Sequence, residues 1–141
     1  VLDRSKMASA EGAAKGAYIL SEAAGGAPAV TLMATGSELE IVVAAQAVLA
    51  EKGIAARVVS MPCWELFAAQ PTEYRERVLV PGGARVSVEA GVTLGWQRWL
   101  GERGIAIGVD TFGASAPAKI LYEKYGLTVD KIVEAAQGLI G

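Results

Sequence analysis

The stretch AVTLMATGSELEIVVAAQAVLAEKG, residues 29–53, places a strand, a glycine turn and a helix in immediate succession. Its first six residues form an apolar run of strand length, which is typical of a strand buried on both faces of a parallel sheet. The segment after the turn has apolar residues at helical spacing and ends at Lys52 and Gly53, a basic last turn followed by a C-terminal glycine. A buried strand that leads directly into such a helix is the repeating unit of α/β proteins.

The same alternation continues on both sides of this unit. Strands are predicted at Tyr18–Leu20, Ala29–Ala34, Ala56–Met61, Ala84–Gly91 and Ile105–Asp110. Helices are predicted between Leu39 and Lys52, at one or two turns after Trp64, at Thr72–Leu79, at Gly95–Gly101 and from Ala116 onward with a break at Gly126. Right-handed crossovers then place helices on both faces of the sheet. The pattern predicts a three-layer α/β/α sandwich with a mostly parallel five-stranded sheet.

The length of 141 residues fits one domain. Residues 1–15 are small and polar and are interpreted as a tether or a frayed turn, which leaves residues 16–141 for the α/β domain. The formal net charge of −2 provides no field of one sign for a nucleic acid or an anionic membrane. No apolar run approaches the roughly 18 residues of a membrane span, and the opening residues are too polar for a secretory signal. A cytoplasmic location is expected.

The residue types that most often carry catalysis are scarce. The chain contains no histidine, so the commonest general base and the commonest metal ligand are both missing. Cys63 is the single cysteine, which excludes an intrachain disulfide and a thiolate zinc site. No basic residue stands near it in sequence, so an inert, buried or half-buried thiol is the interpretation. We predict no catalytic, cofactor-binding or metal-binding residue within the chain.

The turn at Gly36 is the first of three candidate sites. Gly36 can adopt backbone angles that other residues avoid, and Ser37 can cap the helix, with Glu40 placed as a capping box requires. Free amides at such a helix start can also bind an anion. A dinucleotide fingerprint requires more glycines, and a P-loop requires a Gly-Lys-Ser or Gly-Lys-Thr ending. Structural capping is therefore favoured, and phosphate binding remains the alternative.

A second candidate is the loop Asp110–Pro117, which contains Thr111 and Phe112. Ser115 as a helix cap, with Pro117 near the first helical turn, explains the loop without any ligand. Loops at the carboxyl ends of parallel strands are nevertheless where α/β folds place their sites. The two interpretations of this loop, a site or interface and a loop without a ligand, are equally supported.

The third candidate is Glu89, at the end of the fourth predicted strand. It could be a general base if burial raised its pKa, but a hydrogen-bonded acid at a strand end is the favoured interpretation. The three loops are expected to share one edge of the sheet. Together they give a set of interdomain or anion-site candidates: Gly36, Ser37, Glu89, Thr111, Phe112 and Ser115.

Trp96 and Trp99 are three positions apart and would share one face of a helix. Packing in the core is one interpretation. A surface for a partner protein is the other, because large aromatic side chains are enriched at interfaces.

With these residues in view, the chain resembles the C-terminal domain of transketolases. The resemblance covers essentially Tyr18 to the end and is carried by six blocks in series: ATGSELEIVVAA, ARVVSMPCWELFAAQ, TEYRERVL, VSVEAG, TFGASAPA and LYEKYGLTVDKIVEAA. Transketolases use thiamine diphosphate and a divalent cation, Mg²⁺ or Ca²⁺, to move a two-carbon ketol unit from a ketose phosphate to an aldose phosphate. In that family the cofactor and the sugar are held by other domains.

The resemblance implies a non-catalytic domain that braces a homodimer and contacts the other domains and the second subunit. The parent enzyme would act on sugar phosphates, whereas this chain alone is expected to be inactive. Two alternatives stay open: an independent anion- or nucleotide-binding regulatory module, and the C-terminal domain of another thiamine-dependent enzyme.

Overall fold

The computed structural model of the chain describes residues 10–36, 38–89, 96–108 and 128–140. Three of the candidate site positions predicted from the sequence, Thr111, Phe112 and Ser115, lie outside these ranges, and so does Ser37. The predicted helical stretch from Ala116 to the break at Gly126 lies outside them as well.

The sheet has five strands, each located where the sequence predicts it. They are β1 (Tyr18–Ser21), β2 (Val30–Ala34), β3 (Ala56–Ser60), β4 (Ala84–Glu89) and β5 (Gly104–Gly108). Their spatial order is β1-β3-β2-β4-β5. The neighbours from β3 to β5 are parallel, and β1 alone is antiparallel to its neighbour β3. The prediction of a mostly parallel five-stranded sheet in an α/β fold is confirmed.

The described helices connect and cover these strands. They are α1 (Glu38–Glu51), α2 (Trp64–Ala68), α3 (Thr72–Val78), α4 (Gln97–Leu100) and α5 (Val129–Ile140). A 3-10 helix, Ala10–Lys15, precedes β1, in the stretch where the sequence predicts a tether or a frayed turn.

One face of the sheet is covered by α1 and α5, and we call this half of the core the aliphatic layer. In α1 the buried side chains of Leu39, Val42, Ala45 and Leu49 follow helical spacing and pack on Leu32 and its neighbours in the sheet. Long helices with one continuous apolar stripe and β-branched strand residues are sufficient to close this side.

The other face carries the short helices α2, α3 and α4, and we call this half the aromatic layer. Phe67, Trp96 and Trp99 fill its centre against Met33 and Val59 of the sheet. The ring centroids of Phe67 and Trp99 lie 5.2 Å apart, a favourable spacing for aromatic pairs. On this face, large aromatic rings cover the sheet area that long helices cover on the opposite face.

Two arginines of the sheet tie the aromatic layer together. Arg57 of β3 and Arg85 of β4 are both paired in register with Thr31 of β2, so they lie in one row across the sheet. The Arg57 guanidinium donates to the carbonyls of Arg77 and Val78, at 2.8 and 3.2 Å. Arg85 donates to the carbonyls of Leu79, Val80 and Trp99. The carbonyls of Arg77, Val78 and Trp99 belong to the last turns of α3 and α4, where a helix leaves carbonyl groups without an intrahelical donor.

Candidate functional site

The carboxyl edge of the parallel sheet places the predicted candidate Glu89 beside Thr35, the residue directly before the candidate Gly36. Ala34 of β2 and Val88 of β4 are paired in register, so the residues that follow them, Thr35 and Glu89, lie at the same edge. A groove of about 270 Å³ opens there. Its described lining consists of Thr35, Met61, Pro62, Cys63, Trp64, Glu65, Glu89 and Trp96. We call this feature the carboxyl-edge groove.

The turn between β2 and α1 is closed by its own backbone. Gly36 has a φ of +58°, in the left-handed region where a side chain is unfavourable. The N–H groups of Glu38 and Leu39 donate to the carbonyls of Thr35 and Gly36, both at 3.3 Å. Two amides of the first helical turn are therefore engaged within the turn, which reduces the number of donors that an anion could use.

The charge at this turn also disfavours an anion. Glu38, the first residue of α1, is 6% exposed, and a Cβ placed on Gly36 would lie 3.9 Å from its Oε2 atom. A carboxylate at a helix N-terminus interacts favourably with the helix dipole. It also adds a negative charge at the place where a phosphate would have to bind.

The carboxyl-edge groove is acidic on its described walls. Glu65 and Glu89 contribute carboxylates, and none of the described residues that line the groove is Lys or Arg. The half-buried Cys63 thiol donates to Glu65 Oε2 across 3.4 Å. A hydrogen bond from the backbone N–H of Glu65 itself, followed by the one from Cys63, lowers the pKa of the Glu65 carboxyl. The groove thus has two acidic side chains beside the rings of Trp64 and Trp96, and the positive charge of Arg98 acts on Glu65.

These residues do not fit a thiamine diphosphate or its metal. Within the four described ranges, no group of three or more His, Cys, Asp and Glu side chains could hold a metal ion. A diphosphate requires several cationic groups around it, and no Lys or Arg is among the described residues that line the groove. No chemical step of a thiamine enzyme can be assigned to the side chains of this edge.

The two tryptophans pack inside the chain itself. Trp96 is 1% exposed and Trp99 is 7% exposed, and both belong to the aromatic layer. Their interpretation as a surface for a partner protein is therefore wrong, and the core alternative is correct. The reason is the shortness of α4, which leaves the sheet face to be covered by large rings instead of by a long helix.

Several groove residues were missed by the sequence analysis. Met61 lies in the connection between β3 and α2, and Trp64 and Glu65 begin α2, where the sequence shows only a strand end and a short helix. The available signal was topological, because this connection also follows the carboxyl end of a parallel strand.

In the described part of the chain, no helix combines the length and the apolar character needed to cross a bilayer.

The chain matches known proteins along most of its length. A family model described as the transketolase-like TK C-terminal domain matches residues 16–128. A chromosomal transketolase of Cupriavidus necator is 55% identical over 127 residues, which are 90% of this chain and 19% of that protein. A transketolase of Solanum tuberosum, named as chloroplastic, is 53% identical over 131 residues, which are 92% of this chain and 18% of that protein.

Solved structures that superpose on the chain come from the same family as these relatives. A transketolase from Leishmania mexicana superposes with a TM-score of 0.85 at 41% identity, over 94% of this chain and 19% of the other. A chain described as a split gene transketolase, inactive beta4 tetramer, superposes with a TM-score of 0.67 at 28% identity, over 90% of this chain and 43% of the other. The chain thus spans about 19% of the length of full relatives such as the Cupriavidus necator enzyme. With its fold, its order of elements and these matches in agreement, the chain belongs to the transketolase family, as the C-terminal domain.

Proposed function

We propose that this chain is the C-terminal domain of a thiamine-diphosphate-dependent transketolase. The parent enzyme would transfer a two-carbon ketol unit from a ketose phosphate to an aldose phosphate, with the cofactor and a divalent cation held by other domains. Identity of about half over nine tenths of the chain to two named transketolases supports this proposal. The domain is proposed to comprise residues 16–141 and to work in the cytoplasm.

Within that enzyme, the chain acts as a non-catalytic brace between domains and subunits. The observation that carries this role is the carboxyl-edge groove, whose described walls hold Glu65 and Glu89 and no cation. Acidic side chains next to Trp64 suit contact with another protein surface, since charge complementarity fixes the register of an interface. The other domains of the enzyme and the second subunit of a homodimer are the proposed partners.

The candidate residues named from the sequence are proposed to face those partners. They are Gly36, Ser37, Glu89, Thr111, Phe112 and Ser115. Support for assembly without activity comes from the split-gene relative, which is described both as inactive and as a tetramer of one kind of chain. This chain covers 43% of that relative, so the self-associating unit there includes a counterpart of the present domain.

Calorimetric titration of thiamine diphosphate and Mg²⁺ into the purified chain tests the proposed division of labour. We expect no saturable heat at cofactor concentrations that saturate a full-length transketolase measured in parallel. A second arm adds phosphate, sulfate or a nucleotide and follows the melting temperature. A ligand that binds the native state stabilises it by RT ln(1 + [L]/Kd), so an unchanged melting temperature supports the brace and a saturable rise supports an independent anion-binding module.

A further inference from the structure

The residues just before β1 pack closely against α2 and α3. The 3-10 helix Ala10–Lys15 is followed by Gly16 and Ala17, both of which are buried, and Ala17 has no exposed area. We call residues 10–17 the strap. Two separate sets of contacts hold it in place, one at Gly16 and the other at Tyr74.

The first set is a contact of backbone on backbone at Gly16. Its φ is +85°, and a Cβ placed there would lie 2.2 Å from the backbone nitrogen of Phe67 and 2.3 Å from the carbonyl oxygen of Cys63. The Gly16 carbonyl also accepts a hydrogen bond of 3.0 Å from the N–H of Cys63. No side chain can be accommodated at this position without moving the first turn of α2, because both neighbouring atoms belong to the main chain.

The second set involves the ring of Tyr74 in α3. Its hydroxyl donates to the Ala17 carbonyl at 2.7 Å, across 57 positions of sequence. Lys15 Nζ lies 4.6 Å from the ring centroid, and the Arg77 guanidinium carbon lies 5.0 Å from it. Both distances are within the range of cation–π attraction. Tyr74 therefore holds the strap by one directional bond and by the cation of Lys15.

The residue bonded to the strap is also a wall of the carboxyl-edge groove. Cys63 precedes α2, its N–H is bonded to Gly16, and its side chain faces the groove together with Trp64. Trp64 in turn packs edge-on against Trp96, which lines the same groove, with the ring centroids 5.0 Å apart. The strap and the groove thus share a single short segment of chain.

We propose that the strap is a conformational coupling device: its docking at Gly16 and Tyr74 sets the position of Cys63 and Trp64, so that release of the strap opens one wall of the carboxyl-edge groove. This device goes beyond the proposed brace, because it concerns how the chain's own segments move together. The folding unit then includes residues 10–15, which extends the domain of residues 16–141 proposed above on its N-terminal side.

Two glycines provide a matched pair of variants for the test. Gly16 and Gly53 have similar φ values, +85° and +77°, but a Cβ on Gly53 would meet nothing within 4 Å. Gly16→Ala and Gly53→Ala therefore carry the same backbone strain, and only the first carries the clash with α2. Two quantities are measured on the full chain: the rate of tryptic cleavage between Lys15 and Gly16 under native conditions, and the hydrogen exchange of the Cys63–Ala68 amides.

In the unmodified chain, we expect tryptic cleavage at Lys15 to be at least on the order of tenfold slower than in the urea-unfolded chain. In Gly16→Ala, cleavage accelerates and the Cys63–Ala68 amides exchange on the order of tenfold faster than in Gly53→Ala, while the amides of α1 keep the exchange rate of the unmodified chain. Equal cleavage and equal exchange of Cys63–Ala68 in the two variants would overturn the proposal. So would rapid native cleavage of the unmodified chain.

Tyr74→Phe provides a second test that does not depend on how well Gly16→Ala folds. It removes only the hydroxyl that is bonded to Ala17 and retains the ring. We expect the same pattern at a smaller amplitude: faster cleavage at Lys15, with faster exchange at the Cys63 amide. Faster cleavage at Lys15 without any change at Cys63 would show a docked segment with no coupling to the groove and would contradict the proposal.

Discussion

The two faces of the sheet are closed by different means. In the aliphatic layer, α1 and α5 contribute stripes of buried Leu, Val, Ile and Ala, and Gln46 of α1 adds hydrogen bonds to Ser21 and Ala56 of the sheet. In the aromatic layer, three short helices are held over Phe67, Trp96 and Trp99, and the buried Arg57 and the half-buried Arg85 bind the carbonyls at the helix ends. A long amphipathic helix can be positioned by its stripe alone, whereas a helix of one or two turns requires directional bonds to hold it.

The difference matters for function because the candidate site belongs mainly to the aromatic layer. Trp64 and Trp96 line the carboxyl-edge groove, and the strap is fastened to α2 and α3 of the same layer. Small shifts of short helices can change the groove without disturbing the sheet. The aliphatic layer then serves as the rigid support.

Phe67→Ala is expected to have the largest effect among these tests, a loss of about 4 kcal/mol in the free energy of unfolding. The ring is fully buried between α2, α3 and α4, so its removal leaves a cavity in the aromatic layer. Urea denaturation measures the loss. The neighbouring Leu66→Ala is the control, since Leu66 is 45% exposed and its truncation should cost less than about 0.5 kcal/mol.

Leu49→Ala gives the matching measurement for the aliphatic layer, with an expected loss of about 3 kcal/mol. Leu49 is fully buried in α1. The layers are distinguished by native-state hydrogen exchange: Phe67→Ala should accelerate exchange in α2 and α3, and Leu49→Ala in α1 and α5. If both variants accelerated amide exchange equally in all four helices, the two layers would not be separate units of stability.

Arg57→Met tests the hydrogen bonds of Arg57, with an expected loss of about 3 kcal/mol in the free energy of unfolding. Methionine retains an apolar stem, but the carbonyls of Arg77 and Val78 lose their donor, and so does the Glu22 carboxylate. Lys131→Met is the control, because the pair with Glu134 is exposed on both sides and is worth less than about 1 kcal/mol. Equal losses in the two variants, measured by thermal denaturation, would contradict the role given to Arg57.

Glu22→Gln should cost about 1 kcal/mol at neutral pH, a modest value because the Glu22 side chain is 41% exposed and partly screened by solvent. Burial opposes ionisation of Glu22, but the hydrogen bonds from Arg57 and from the Ala23 N–H prevail and lower its pKa. The stabilisation is therefore present above the unfolded pKa and is lost as the pH falls through the lower, folded value. The difference in unfolding free energy between the two proteins should shrink in acid below about pH 4. A difference independent of pH would exclude the charged pair as its source.

Tyr74→Phe is expected to have an effect as small as that of Glu22→Gln, about 1 kcal/mol, from the loss of the bond to Ala17. Burial raises the pKa of Tyr74, against the opposing charge of Arg77. The unfolded chain therefore ionises first, and the contribution of Tyr74 to stability is lost as the pH rises from about 10 through the folded pKa. Chemical denaturation at increasing alkaline pH should show a steeper decline for the unmodified chain than for the variant. Parallel declines would exclude this contribution.

The regular part of the fold could be predicted because local patterns specify it. The apolar run of β2 and the apolar stripe of α1 specify directly which type of secondary structure forms and where it lies in the sequence. The antiparallel direction of β1 could not be predicted, because a run of four residues shows no preference for either direction of pairing. Gly36 and Glu89 could be named as edge residues, because topology brings the ends of parallel strands together.

The aromatic layer was harder to predict because its contacts join residues far apart in sequence. Arg57 and Arg85 interrupt apolar strands, and their positions alone do not show which carbonyls they bind. Trp99 follows a helical pattern equally compatible with core and surface, and the deciding fact is the area left uncovered by a very short helix. An arginine within a buried strand is a useful signal, since such a charge must find acceptors inside the fold.

Transfer of a ketol group from a ketose phosphate to an aldose phosphate, measured on the purified chain with thiamine diphosphate and Mg²⁺, tests the central claim most directly. The claim is that this domain supports a reaction centre located in other domains. The account predicts no turnover above a protein-free control, and turnover in the same assay by a full-length transketolase added as a positive control. Ketol transfer that copurifies with this chain alone, and that is retained when every other protein has been removed, would contradict it.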